Sequence, residues 1–340
     1  MKQMKKTTYI LLALASFIAA ACSKPSPDGP TPIGPESPKS YIFFEAGLLD
    51  VADTKAELIE GVSLPTTDGF GVIGYYQDNR SIFSGNTNNI AEVNWNSSKG
   101  VYEYQNPAPW MGSTHTFHGF YPHDLLAGSV KVANNIPYIE YTQPTSESGM
   151  KEILGAYNQV TNTSAFAPVV MQFQHLLWAF NLTITNSQTA ETTATGSIPS
   201  PTLTIRKVTL SLSGFPKSVL LKLDSNYSVD VITAGTLNYT LYSSTSGESI
   251  AATKSKTYGP LLFIPVKGLN YQVSIEYTTA AGVEDTMVFP AEGQYKAAST
   301  EFTHGKSYNL TITKTNDKFF VGKMFNEGAW QEADVPHTFQ

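Results

Sequence analysis

KVTLSLSG, residues 207–214, is the stretch on which the fold class turns. In an extended chain Val208, Leu210 and Leu212 share one face while Thr209, Ser211 and Ser213 share the other, because successive side chains of a strand point to opposite sides. YQVSIEYT, residues 271–278, repeats the pattern: Tyr271, Val273, Ile275 and Tyr277 interleave with Gln272, Ser274, Glu276 and Thr278. One wet face and one dry face per strand is what the antiparallel strands of a sandwich require.

Outward from these two stretches, the same reading predicts strands over Tyr41–Ala46, Gly69–Gln77, Gly100–Tyr104, Thr114–Tyr121, Val169–Phe173, Leu176–Thr185, Leu203–Leu212 and Val219–Leu223. Further strands are expected over Thr236–Tyr242, Leu261–Val266, Asp285–Phe289, Ser307–Thr313 and Lys318–Phe325. Gly, Pro and Asn punctuate them at short intervals, which makes the fold class all-β. Only Ala56–Glu60 and Met150–Ala156 read as helical, and the polar run Asn186–Pro201 reads as a surface loop. The length suggests two domains. The change from FAPVVMQFQH to LLWAFNLTI places their boundary near Ala167–Gln174, dividing the chain into 40–172 and 173–340.

The N-terminus carries Lys2, Lys5 and Lys6, an apolar run from Tyr9 to Ile18, and Ala19, Ala20 and Ala21 ahead of Cys22, the single cysteine. That layout is a secretory signal over residues 1–21, too short for a membrane span. The cysteine after small residues resembles the lipobox of bacterial lipoproteins, which implies cleavage before Cys22 and acylation of its thiol; the alternative is a soluble secreted protein cut after Ala21. Two or more acyl chains anchor a protein stably. Residues 22–39 then hold six prolines among Ser, Gly and Thr, an extended spacer. Loss of the signal takes the formal net charge from −6 to −9 with the three lysines. A moderately acidic surface argues against a nucleic-acid partner.

Catalytic and metal-binding patterns are sparse. His115, His118 and His123 cluster in STHTFHGFYPHD, yet positions three apart on a strand face opposite ways, so His115 and His118 do not converge on one ion. Gly305, Lys306 and Ser307 lack the first glycine and the following helix of a phosphate-binding loop. No nucleophile elbow, zinc helix or calcium loop is present. The expectation is a protein that is not an enzyme and needs no cofactor and no metal. Trp95, Trp110, Trp178 and Trp330 could stack on sugars, which keeps a surface glycan-binding lipoprotein as the alternative.

SYIFFEAGLLDVADTKAEL, FGVIGYYQ, WNSSKGVYEYQNPAPW and THTFHGFYP, followed by FQHLLWAFNLTITN and FTHGKSYNLTITKTNDKFFVGKMFNEGAW, resemble the fimbrillin family, the type V pilins of Bacteroidales. The resemblance implies two tandem transthyretin-like Greek-key β-sandwich domains. It also implies a structural pilus subunit or pilus-associated lipoprotein of the outer membrane and cell surface, assembled into a fimbrium by protease-triggered donor-strand exchange and serving adhesion. Its partners would be other pilin subunits, the outer membrane through the lipid, and a host or bacterial surface ligand. In that scheme the displaced strand begins with Tyr41, Ile42, Phe43 and Phe44, apolar on both faces and suited to burial. The cleavage position falls at Lys55 and Ala56, in a polar segment, where the family's best-known members have arginine. The donor would come from the proline-free run 302–335, with Tyr308, Leu310, Ile312, Phe319, Val321 and Phe325 as its apolar residues. Removing a strand leaves unpaired backbone beside an apolar groove, and an added strand repairs both. Burial of about four to six side chains supplies on the order of 10 kcal/mol before ordering costs.

Overall fold

Strands dominate the computed structural model, as the alternation predicts, and the chain is all-β. The structure describes residues 41–48, 64, 68–161, 167–193, 196–198, 201–278, 282–291, 293–322 and 324–328, all within the compact unit Lys39–Gln340. The first part of the chain forms β1 (Phe44–Leu48), β2 (Phe70–Tyr76), β3 (Ala91–Asn96), β4 (Val101–Tyr104), β5 (Thr114–Tyr121), a one-turn helix α1 (His123–Leu126), β6 (Val130–Ala133), β7 (Ile136–Thr142), β8 (Leu154–Thr161) and β9 (Val169–His175). The remainder forms β10 (Trp178–Asn186), β11 (Glu191–Thr193), β12 (Gly196–Ile198), β13 (Leu203–Lys222), β14 (Val229–Ile250), β15 (Lys254–Phe263), β16 (Val266–Thr278), β17 (Glu284–Phe289), β18 (Lys296–Phe302), β19 (Ser307–Lys314), β20 (Phe319–Val321) and β21 (Phe325–Gly328).

One sheet runs β1-β9-β8-β5-β2-β3-β4, and a second runs β15-β10-β19-β20 with β21 also on β19. The third runs β17-β16-β13-β7-β6, with β14 against β13 and β18 against β16. In KVTLSLSG the apolar face is buried: Val208, Leu210 and Leu212 are each 0% exposed. β13 pairs with β16 as far as Ser213↔Asn270. It then turns away at Gly214, whose φ of +65° suits glycine.

Two apolar cores result. One gathers residues between Ile42 and Phe173, including Phe70, Phe117 and Met171. The other joins β10, β13, β16 and β19 to Ile73, Tyr75 and Phe120 of the first sheet. The first sheet is therefore covered on both faces, which is why all seven residues of β2 are buried. The hairpin β6–β7 leaves its sequence neighbours and pairs with β13, Ile139 opposite Leu221. Gln143, just beyond it, donates to the Leu262 carbonyl at 2.8 Å and accepts from the Ile264 N–H at 3.2 Å.

Two expectations need correction. Met150–Ala156 is not helical: Leu154–Ala156 open β8, paired with β5, and local propensity yields to that pairing. A Cβ on Gly155 would meet Leu176 at 2.8 Å and Tyr227 at 3.0 Å, so glycine permits the close packing. The run Asn186–Pro201 is not an unpaired loop, since β11 and β12 form a short hairpin within it.

Candidate functional site: the first strand and the C-terminal strands

β1 occupies the edge of the first sheet and runs parallel to β9, from Phe44↔Val169 to Leu48↔Phe173. Two residues of YIFF enter the core: Ile42 is 0% and Phe44 3% exposed, while Tyr41 and Phe43 are half-buried. The Phe44 ring meets Phe117 and Tyr104, each at 5.6 Å, Phe83 at 6.3 Å and Phe70 at 6.4 Å. Such tilted and edge-on contacts add to the apolar burial.

The backbone of this segment is held as well. The Ile42 N–H donates to the Ala108 carbonyl at 2.8 Å, and the Val169 N–H donates to the Phe43 carbonyl at 2.7 Å. Tyr104 donates its hydroxyl to the Ile42 carbonyl at 2.9 Å and accepts the Ala108 N–H at 3.0 Å. Burial pushes the Tyr104 pKa up to about 12, so the phenol remains a donor at neutral pH. Without these first residues Phe70, Phe83, Tyr104 and Phe117 would face an open groove, beside a bare β9 edge.

The C-terminal residues divide into two groups. Tyr308, Leu310 and Ile312 lie on β19, an interior strand parallel to β10 through eight paired residues, Ala179↔Ser307 to Asn186↔Lys314. All three are 0% exposed. Tyr308 packs against Phe302 at 4.7 Å and Trp178 at 5.4 Å, and its hydroxyl donates to the Glu301 carbonyl at 2.9 Å. β20 and β21 lie outside β19, each paired through three residues. Phe319 and Val321 are half-buried. Phe319 meets the Tyr277 ring at 4.9 Å and lies 5.4 Å from the buried Lys314 ammonium. Lys314 caps the turn by donating to the Thr315 carbonyl at 2.8 Å. Burial holds its pKa below the ordinary value, with Asp317 and Asp285 pulling the other way. Cys22, Lys55 and Ala56 lie outside the described residues.

His115 and His118 face opposite ways, as strand geometry requires. His115 stacks with Phe117 at 6.3 Å in the first core. His118 turns to the second, where its Nδ1–H donates to the Leu223 carbonyl at 2.7 Å. Among the described residues one group, Glu92, His123 and Asp124, brings metal-ligating atoms within 4.8 Å of one another, with both carboxylates exposed. Trp178 is a core residue, and Trp95 and Trp110 are half-buried against Tyr102 at 5.0 Å and His115 at 4.8 Å. Trp330 lies outside the described residues.

Tyr104 and Val169 were not singled out by sequence reasoning. VYEYQNPAPW shows alternating aromatics but not that one hydroxyl reaches a carbonyl 62 positions earlier in the chain.

Among the described residues, then, an edge strand seals an aromatic groove in the first sheet, and two short strands, β20 and β21, lie at the periphery of the second. The chain belongs to the fimbrillin-like family, whose model matches residues 54–324. Among solved structures it is similar in fold to a fimbrial protein from Bacteroides vulgatus, with 15% identity and a TM-score of 0.51 over 76% of this chain and 92% of that one. A second similar structure is the fimbrial anchor protein Mfa2 from Porphyromonas gingivalis, with 9% identity and a TM-score of 0.40 over 85% of this chain and 97% of that one. No curated protein sequence matches.

Proposed function

We propose that this chain is a structural fimbrial subunit or pilus-associated surface lipoprotein, not an enzyme. It is exported, held at the outer membrane by acylated Cys22, and joined to other pilin subunits by strand exchange, and it serves adhesion. Segment 40–172 supplies the acceptor groove and segment 173–340 the donor. The observation that carries this is β1, an edge strand parallel to β9, which together with the residues just before it seals a groove with Ile42 and Phe44. Cleavage after Lys55 would free it at one end. The vacated groove then offers apolar surface and an unpaired strand edge, which a neighbour's strand fills. The donor narrows to Phe319, Val321 and Phe325, because Tyr308, Leu310 and Ile312 cannot leave without opening the second core.

Purified protein treated with a lysine-specific protease should acquire Ala56 as its N-terminus and form SDS-resistant ladders. Protein cut at Lys55 that stays monomeric would overturn strand exchange.

A further inference from the structure

Edge strands in native proteins are guarded by charge, proline, bulges or brevity. Glu45 in β1, Glu103 in β4, Lys131 in β6, Glu284 in β17 and Lys296 in β18 are such guards. β14 is different. It spans 22 residues, pairs with β13 on one side, and has no strand partner on its other side among the described residues. From Val231 to Gly247 it contains neither a charged residue nor a proline. Asp230 and Glu248, the charges that bracket this run, are already paired with Lys222 and Lys256, each at 2.8 Å.

The pairing with β13 leaves Ile232, Leu241 and the run Ser244–Gly247 as extra residues on β14, whereas the two register shifts opposite Thr233–Thr240 put their extra residues on β13, after Leu212 and after Pro216. Thr233–Thr240 therefore carries no extra residue of its own and is long enough for an ordinary ladder. Thr233, Ala234, Thr236, Asn238 and Thr240 are exposed there and Gly235 is half-buried, while Leu237 and Tyr239 point into the second core at 5% and 2%.

We propose that this edge pairs antiparallel with the same edge of a second copy. An edge of unpaired N–H and C=O groups is complemented by another strand. A two-fold contact sets the segment against itself, and here that juxtaposes no like charges. It places threonine and asparagine side chains across from one another, pairs that favour a ladder. The contact closes on itself, so it joins two molecules side by side and cannot propagate. It uses no residue of β1 or of the C-terminal strands, and therefore operates in the uncleaved chain.

Sedimentation velocity of the full chain carrying Cys22→Ser, with no protease added, tests this. A monomer–dimer equilibrium in the micromolar range is expected. Asn238→Lys with Thr240→Lys, both on exposed positions, should weaken the dimer by about tenfold or more through like-charge opposition, with an unchanged thermal melt. A chain that stays monomeric throughout, as one whose edge serves a different protein would, overturns the proposal, and so does a dimer indifferent to the two lysines. Ladder formation after cutting at Lys55 is read separately and does not depend on this contact.

Discussion

At the scale of single residues the strength of the first strand rests on Phe44. Its ring fills a socket of four aromatics, and truncation leaves a cavity that a rigid sheet edge closes poorly. Phe44→Ala is expected to cost about 3–5 kcal/mol, the range for a fully buried phenylalanine, as measured by urea denaturation. A cost below about 1 kcal/mol would show that the segment is loosely seated. YIFF reads as apolar on both faces, yet only Ile42 and Phe44 enter the core while Tyr41 and Phe43 stay half-buried. What the sequence concealed was the partner: β9 is 125 positions away at Phe44↔Val169, and no local pattern encodes a parallel neighbour at that distance.

At the scale of elements the C-terminal strands differ in how firmly they are held. β19 has neighbours on both sides and a buried face, whereas β20 and β21 are three and four residues long and, among the described residues, have a strand partner on one side. Amides of β20 and β21 should exchange with deuterium at least about tenfold faster than those of β19, because opening them exposes little apolar surface. Equal protection across all three strands would deny β20 and β21 the donor role. Alternation revealed β13 and β16 because each has one wet and one dry face. β6, β7 and β8 went unread because their faces are mixed: Ile136 is 38% exposed at the start of β7, and Tyr157 in β8 is half-buried. The alternation of Tyr308, Leu310 and Ile312 identified a strand, but a strand buried at home and a strand donated to a neighbour share that pattern. Only the parallel pairing with β10 distinguishes them.

At the scale of the whole molecule the loop 223–228, between β13 and β14, meets the first sheet through His118, and Tyr227 packs on His304 at 5.7 Å. Burial lowers both histidine pKa values from the ordinary 6.5, with Asp224 partly opposing this at His118 and Lys306 reinforcing it at His304. The unfolded chain therefore takes up protons that the folded chain resists, and stability falls as the pH drops through the unfolded value. Denaturation midpoints should be lower at about pH 5.5 than at about pH 7.5, and His118→Gln should reduce the difference. A midpoint equal at both values would show that neither histidine is confined.

Because β19 lies alongside β10 in the same direction, with eight residues matched, a tensile load drawn along it from its C-terminal end strains the whole ladder in shear. The antiparallel return through β20 and β21 meets the same load end-on and peels apart one bond at a time. Under pulling force the tail would yield first, leaving the body of the protein whole.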